Sequence, residues 1–249
     1  MRKNRNLTVL GWLLAGACLA PLAAQANPVV SIELTGFSGA SLNGVYTEPY
    51  NAQIGPAGLT NASQFNSMNS VPAAIYCDDF YDDVSAGQVW QATVTNMSAL
   101  STTSLNTSVM FHDTTPATQA ADYMAAAWLA EQIAAQNQNI PSGQLTAEQD
   151  SYALWYIFDP SDALTGLSST DYNAAVTDYD DAVAAVTDDT PSDFSNVNIY
   201  TPLDDTPGSA SSQEYFTVDV PEPGTLALMA VGLAGIGWIA RRRRQSQSV

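Results

Sequence analysis

TPATQAADYMAAAWLAEQIAAQ, residues 115–136, is the stretch that decides the architecture of this chain. Thr115 is a good N-cap, and Pro116 suits the first helical position, where its missing N–H costs nothing. Ala121, Met124, Ala125, Trp128, Leu129 and Ile133 then recur at spacings of three and four. That is one face of a helix of about five turns.

Outward from this helix, Thr146-Ala147-Glu148-Gln149 fits a capping box, so a second helix is expected to start at Thr146. Tyr152, Trp155, Tyr156 and Phe158 carry it to a stop at Asp159-Pro160. A third helix is expected from about Thr170 to Val186, with Tyr172, Val176, Tyr179, Val183 and Val186 on one stripe. On both sides the period changes to that of strands: Val29 to Leu34, Ala73 to Cys77 and Val89 to Val94 before the helices, Val197 to Tyr200 and Tyr215 to Val220 after them. Tyr50 to Asn69, with Gly55-Pro56 and many polar residues, reads as a loop. The order strands, helices, strands predicts a single α+β domain over residues 27–219: a β-sandwich or barrel with a helical insertion of about three helices.

The chain has 249 residues, a formal net charge of −18 and 46% apolar residues, enough to build a core. All seven Lys and Arg residues fall in the termini, as Arg2, Lys3, Arg5 and Arg241 to Arg244. Of the 25 acidic residues, all but Glu222 lie between Asn27 and Pro221. The body therefore has no Lys or Arg salt bridges. With nothing to neutralise phosphates, it is excluded as a nucleic-acid binder.

The N-terminus has a basic start, an apolar run from Leu7 to Ala24 and the small residues Ala24 and Ala26 around Gln25. This is the pattern of a secretory signal peptide, residues 1–26, cleaved after Ala26 by signal peptidase. Cys18 lacks the large aliphatic residue of a lipoprotein signal three places before it. After cleavage Cys77 is the sole cysteine, which rules out an intramolecular disulfide.

At the other end, residues 220–244 read VPEPGTLALMAVGLAGIGWIARRRR, with a tail at 245–249. Thr225 to Ala240 is apolar or small throughout, about 24 Å as a helix. That is short for a bilayer core of about 30 Å but serviceable as a single transmembrane helix in a thinned membrane. Arg241, Arg242, Arg243 and Arg244 hold the tail on the cytoplasmic side. Pro221-Glu222-Pro223-Gly224, a short glycine-laced apolar helix and an Arg cluster together resemble the PEP-CTERM sorting signal. That resemblance implies processing by an exosortase, a membrane transpeptidase of Gram-negative bacteria. It also implies an inner-membrane intermediate, a final place at the cell surface or in the extracellular matrix, and exopolysaccharide or biofilm as the setting.

A second resemblance concerns the body. Tyr76-Cys77-Asp78-Asp79-Phe80, then Ala126-Ala127-Trp128-Leu129, then Ala153-Leu154-Trp155-Tyr156 follow the order seen in thioester domains of bacterial surface adhesins. Those domains join a Cys to a Gln four residues before a Trp. Cys77 matches, but Ser151 stands four residues before Trp155, and Gln149, the nearest Gln, stands six before. The resemblance thus implies a retained scaffold with a degenerate Cys77–Gln149 pair; by the residues alone, Cys77 is expected to be a buried inert thiol, with an intermolecular link as the alternative.

Asp78, Asp79, Asp82 and Asp83 are hard oxygen ligands suited to Ca²⁺, although no EF-hand spacing accompanies them or the groups at Asp178, Asp180 and Asp181 or at Asp188, Asp189 and Asp193. The default for such clusters is a solvated acidic face, with no cofactor. His112-Asp113 lacks a partner nucleophile motif, and one His with one Cys makes no usual zinc site. The expectation is a non-enzymatic, exported structural or adhesive protein. The alternatives are a ligand-binding module for a carbohydrate or Ca²⁺, then a secreted hydrolase.

Overall fold

The computed structural model describes residues 27–219, apart from 38–39, 81–82, 113, 137–138, 140 and 204–211. The expected signal peptide and the sorting segment with its transmembrane helix lie outside the described residues, as do Asp82 and Asp113. No helix among the described residues is long and apolar enough to cross a membrane.

Six strands close into an antiparallel barrel. In chain order the strands are β1 (Val29–Phe37), the hairpin pair β2 (Ser41–Leu42) and β3 (Val45–Tyr46), β4 (Tyr50–Pro56), β5 (Val71–Cys77), β6 (Val89–Asn96), β7 (Val197–Pro202) and β8 (Tyr215–Val218). Around the barrel the order is β1-β4-β5-β8-β7-β6, with β2 and β3 as a separate ribbon. A register shift between Leu34 and Gly36 bends β1 at the rim. Strand alternation fills the interior: Ile32 and Leu34, Tyr50 and Ala52, Ile75 and Cys77, Trp90 and Ala92, Tyr200 and Tyr215 form one buried cluster.

The opposite faces of β5, β7 and β8 carry Tyr76, Val197, Ile199 and Phe216 into a second core shared with the helices. Four α-helices form among the described residues: the single-turn α1 (Ala62–Phe65), then α2 (Pro116–Ala135), α3 (Pro141–Phe158) and α4 (Ser169–Ala185), the last three inserted between β6 and β7. The expected barrel with a three-helix insertion is therefore present.

Several local expectations need correction. Tyr50 to Pro56 is a barrel strand, not part of a loop. Its polar residues misled because only Tyr50, Ala52 and Gly55 are buried in it. Gly55 marks a close approach: a Cβ there would meet Leu59 Cδ1 at 2.7 Å. Helix α3 begins at Pro141, five residues before Thr146, whose hydroxyl instead donates to the Ser142 carbonyl at 3.0 Å within the helix. Thr146-Ala147-Glu148-Gln149 is thus not a capping box. In α2 the N-cap at Thr115 forms as expected, but Ala121 is exposed, while Tyr123, Ala126, Ala127 and Ala130 are buried. The alanines let α2 pack closely on more than one side, so burial does not follow a single stripe. Of the stripe expected on α4, Val176, Tyr179 and the C-cap Val186 pack on the core, whereas Tyr172 and Val183 are exposed and the buried positions within the helix are Ala175 and Ala182. Ala175 and Ala182 belong to the core shared by the helices and the barrel, where larger side chains would hold the elements apart.

Candidate functional site

One end of the barrel gathers the ends of β1, β5 and β7 and the starts of β4, β6 and β8. Carboxyl groups are concentrated there, under the helices. Glu48, Asp78, Asp79 and Glu214 are fully buried, and Asp150 on α3 nearly so. No Lys or Arg stands among the described residues beside them.

Glu214, one residue before β8, ties three parts of the fold together. Its carboxylate accepts from Tyr123 OH on α2, from Thr201 Oγ1 on β7 and from the Met110 amide at 2.9 Å. Asp78 lies against it, just beyond β5. Among the described residues, no donor from another residue forms a well-placed hydrogen bond to either oxygen of Asp78; its own amide lies close to the carboxyl. Neither carboxylate of the pair donates when ionised, so the contact becomes a hydrogen bond only when one group holds a proton. Burial first, then the charges of Glu214 and Asp79, push the Asp78 carboxyl well above the usual range. Burial raises Glu214 too, opposed by its bonds from Thr201, Tyr123 and Met110. Asp78 is thus the proton carrier and Glu214 the ionised acceptor.

Cys77 belongs to the barrel interior. Its amide donates to Glu48 Oε1 at 2.6 Å and its thiol to the Asp79 carbonyl at 3.0 Å. Burial, with Glu48, Asp79 and Asp78 nearby, raises the thiol well above its ordinary value, which keeps it un-ionised and unreactive. Ser151 is also engaged: it accepts from the Glu48 amide at 3.2 Å and donates to the Ala147 carbonyl at 2.7 Å. Gln149, by contrast, is half-buried and donates to Asp171 of α4 at 3.2 Å. The fold places Cys77 and Gln149 in different environments, one in the barrel interior and one at the α3–α4 contact.

The other predicted residues are also dispersed. Asp78 and Asp79 are buried, whereas Asp83 is exposed. Among the described residues, no group of three or more His, Cys, Asp or Glu is placed to hold a metal ion. Asp193 bonds the amide and hydroxyl of Thr190, both at 2.8 Å. His112 Nδ1 sits 3.0 Å from the Val109 carbonyl. Sequence reasoning did not single out Glu48, Asp150 or Glu214. The available signal was an isolated acid beside aromatic strand residues, as at Glu214-Tyr215, in a body without cations.

Beside the buried acids opens a cleft of about 300 Å³. Its aromatic lining comes from Phe37, Tyr46, Tyr50, Phe80 and Trp155, and its polar lining from Asp79, Asp83 and Gln213. Phe37 and Tyr46 stack at 4.5 Å with planes 7° apart, and Phe80 lies 5.2 Å from Trp155.

Comparison with known families gives one match. The PEP-CTERM protein-sorting motif matches residues 219–244, starting directly after β8. The chain therefore carries the sorting signal of an exported protein that an exosortase-type enzyme processes at the membrane on its way to the cell surface. No curated protein and no solved structure matches the chain.

Proposed function

We propose that the body of this protein is a non-catalytic structural or adhesive component of the bacterial surface or extracellular matrix, set among exopolysaccharide. The observation that carries this reading is the junction at Val218–Asp219. The strand that completes the barrel ends where the sorting motif begins, so the folded body is delivered outward as one unit. The chemistry at the barrel end agrees with a passive role. The buried thiol is held un-ionised, and the Ser151 hydroxyl is committed to a helix carbonyl, so neither serves as a nucleophile. The test is to follow the tagged full-length chain in cells with and without Pro221 to Gly224. Surface release that is unchanged by the deletion would remove the sorting part of the reading; a body found only in the cytoplasm would remove all of it.

The aromatic cleft favours a second role within the first, as a carbohydrate-binding module. Ring faces beside a few polar groups make a suitable bed for the C–H face and hydroxyls of a sugar. Binding of the full-length chain, in mild detergent, to an array of polysaccharides tests it; no retention on any of them rejects the module and leaves the structural role.

A further inference from the structure

The cleft is held in shape before any ligand arrives. The Phe37 ring at the end of β1 meets Tyr50 of β4 edge-on at 5.4 Å, while its face stacks on Tyr46. Tyr50 OH donates to the Tyr46 carbonyl at 2.9 Å, tying the β2–β3 ribbon down onto the barrel. Tyr46 nevertheless remains 52% exposed. A large ring fixed in position yet open to solvent is a platform in place for a contact.

The charge around that platform is one-sided. Asp83 is exposed at the cleft and close enough to Tyr50 to contribute to raising its hydroxyl, an effect led by burial of the phenol and including Cys77, Glu48 and Tyr152. No Lys or Arg exists anywhere in the body to answer Asp83. An anionic ligand, whether phosphate, sulfate or uronate, would meet carboxylates without a counter-charge. A hard metal ion would need several oxygens at once, and the described residues provide no such group. An organic ammonium satisfies both features: its charge is attracted to the carboxylate and to aromatic ring faces, and its carbon skeleton packs on those rings.

We propose that this cleft binds a sugar bearing a free amine, its ammonium taken by Asp83 and its ring packed on Tyr46. The volume, about 300 Å³, suits a single hexosamine unit of a longer chain. The proposal rests on the carbohydrate-binding reading and narrows it to a ligand class.

Calorimetry with the full-length chain in mild detergent, near pH 6 so that the amine is charged, tests it. The probes are a glucosamine tetramer, its fully N-acetylated form and Nα-acetyl-lysine methylamide. The glucosamine tetramer is expected to bind, and to bind more weakly as salt is raised. The N-acetylated tetramer is expected to bind about tenfold more weakly or worse, and Asp83→Asn to cost the glucosamine tetramer a similar factor. Tyr46→Ala should weaken it as well; both substitutions are at exposed positions and leave the core intact. Equal binding of the two tetramers overturns ammonium recognition while leaving the carbohydrate module standing. Equal binding of the lysine probe overturns the sugar assignment. Binding of neither tetramer overturns the proposal and leaves the module to the polysaccharide array, and full binding by Asp83→Asn overturns the assignment of the ammonium to Asp83.

Discussion

The carboxyl of Asp78 lies against that of Glu214, both fully buried where the barrel meets the helices, and one proton satisfies the pair. Their attachment is structural as well as electrostatic, because Glu214 also collects Tyr123, Thr201 and the Met110 amide.

Stability should therefore fall as pH rises, against the usual pattern for a neutral-pH protein. Burial raises Glu48, Asp78 and Glu214, and takes Asp122 to about 6 and Asp150 to about 7, the latter with help from Asp178. A raised folded pKa means that the native state holds more protons than the unfolded chain. The contribution is full below the ordinary carboxylate range, near pH 4, and is lost as pH climbs through these folded values to about 7 and above. For the fully buried carboxyls each such proton is linked to about 1.4 kcal/mol per pH unit across its window, and the partly exposed Asp122 contributes less because solvent screens it. Urea titrations from acid to mildly alkaline pH read this directly. Asp78→Asn, whose amide donates to Glu214 at every pH, should flatten part of the slope; a slope that rises with pH would contradict the assignment.

Removing the acceptor should cost more than altering the donor. Glu214→Ala leaves Tyr123 OH, Thr201 Oγ1 and the Met110 amide without their partner. At about 1–3 kcal/mol for each buried group left unsatisfied, the loss should exceed about 3 kcal/mol in chemical denaturation. A loss below 1 kcal/mol would mean that water replaces the carboxylate freely.

Cys77 should be a plain thiol. The intact mass is expected to show no loss of ammonia and no change on treatment with methylamine. Iodoacetamide should modify Cys77 only after denaturation, since the side chain is fully buried and un-ionised. Gln149→Ala should leave the mass bookkeeping unaltered apart from the substitution itself, because Gln149 is bonded to Asp171.

Helix α4 offers a reversal of what its pattern suggests. Ala182→Leu should destabilise by about 1–3 kcal/mol through overpacking. Val183→Ala, at an exposed position of the expected apolar stripe, should stay within about 0.5 kcal/mol. Thermal melts of the two variants decide between the stripe read from the sequence and the packing found in the fold.

Calcium and magnesium at equal ionic strength are expected to raise the melting temperature equally. Dissolved cations relieve the mutual repulsion of the surface carboxylates, and the described residues hold no group placed for selective coordination. A distinctly larger calcium effect would point to a site built with residues outside the described set.

The C-terminal sorting motif was legible because its signal is linear. The matched motif consists of Pro221-Glu222-Pro223-Gly224, an apolar run and four arginines in order along the chain, and no distant contact is needed to recognise that order. The strands and helices that carry clear periods were legible too, from Val29–Phe37 to the long α2, as was the absence of every Lys and Arg from the body. Tertiary structure alone decided the rest. Tyr50–Pro56 became a strand because β1 and β5 flank it and pair with it, not because its own residues favour one. Gln149 turned to α4 while Cys77 turned into the barrel, since each side chain's face follows from the register and packing of its element. Which carboxyls are buried, Glu214 and Asp78 rather than the exposed Asp83, also depends on which segments the closed sheet brings together across more than a hundred residues, and local composition carries no record of that distance.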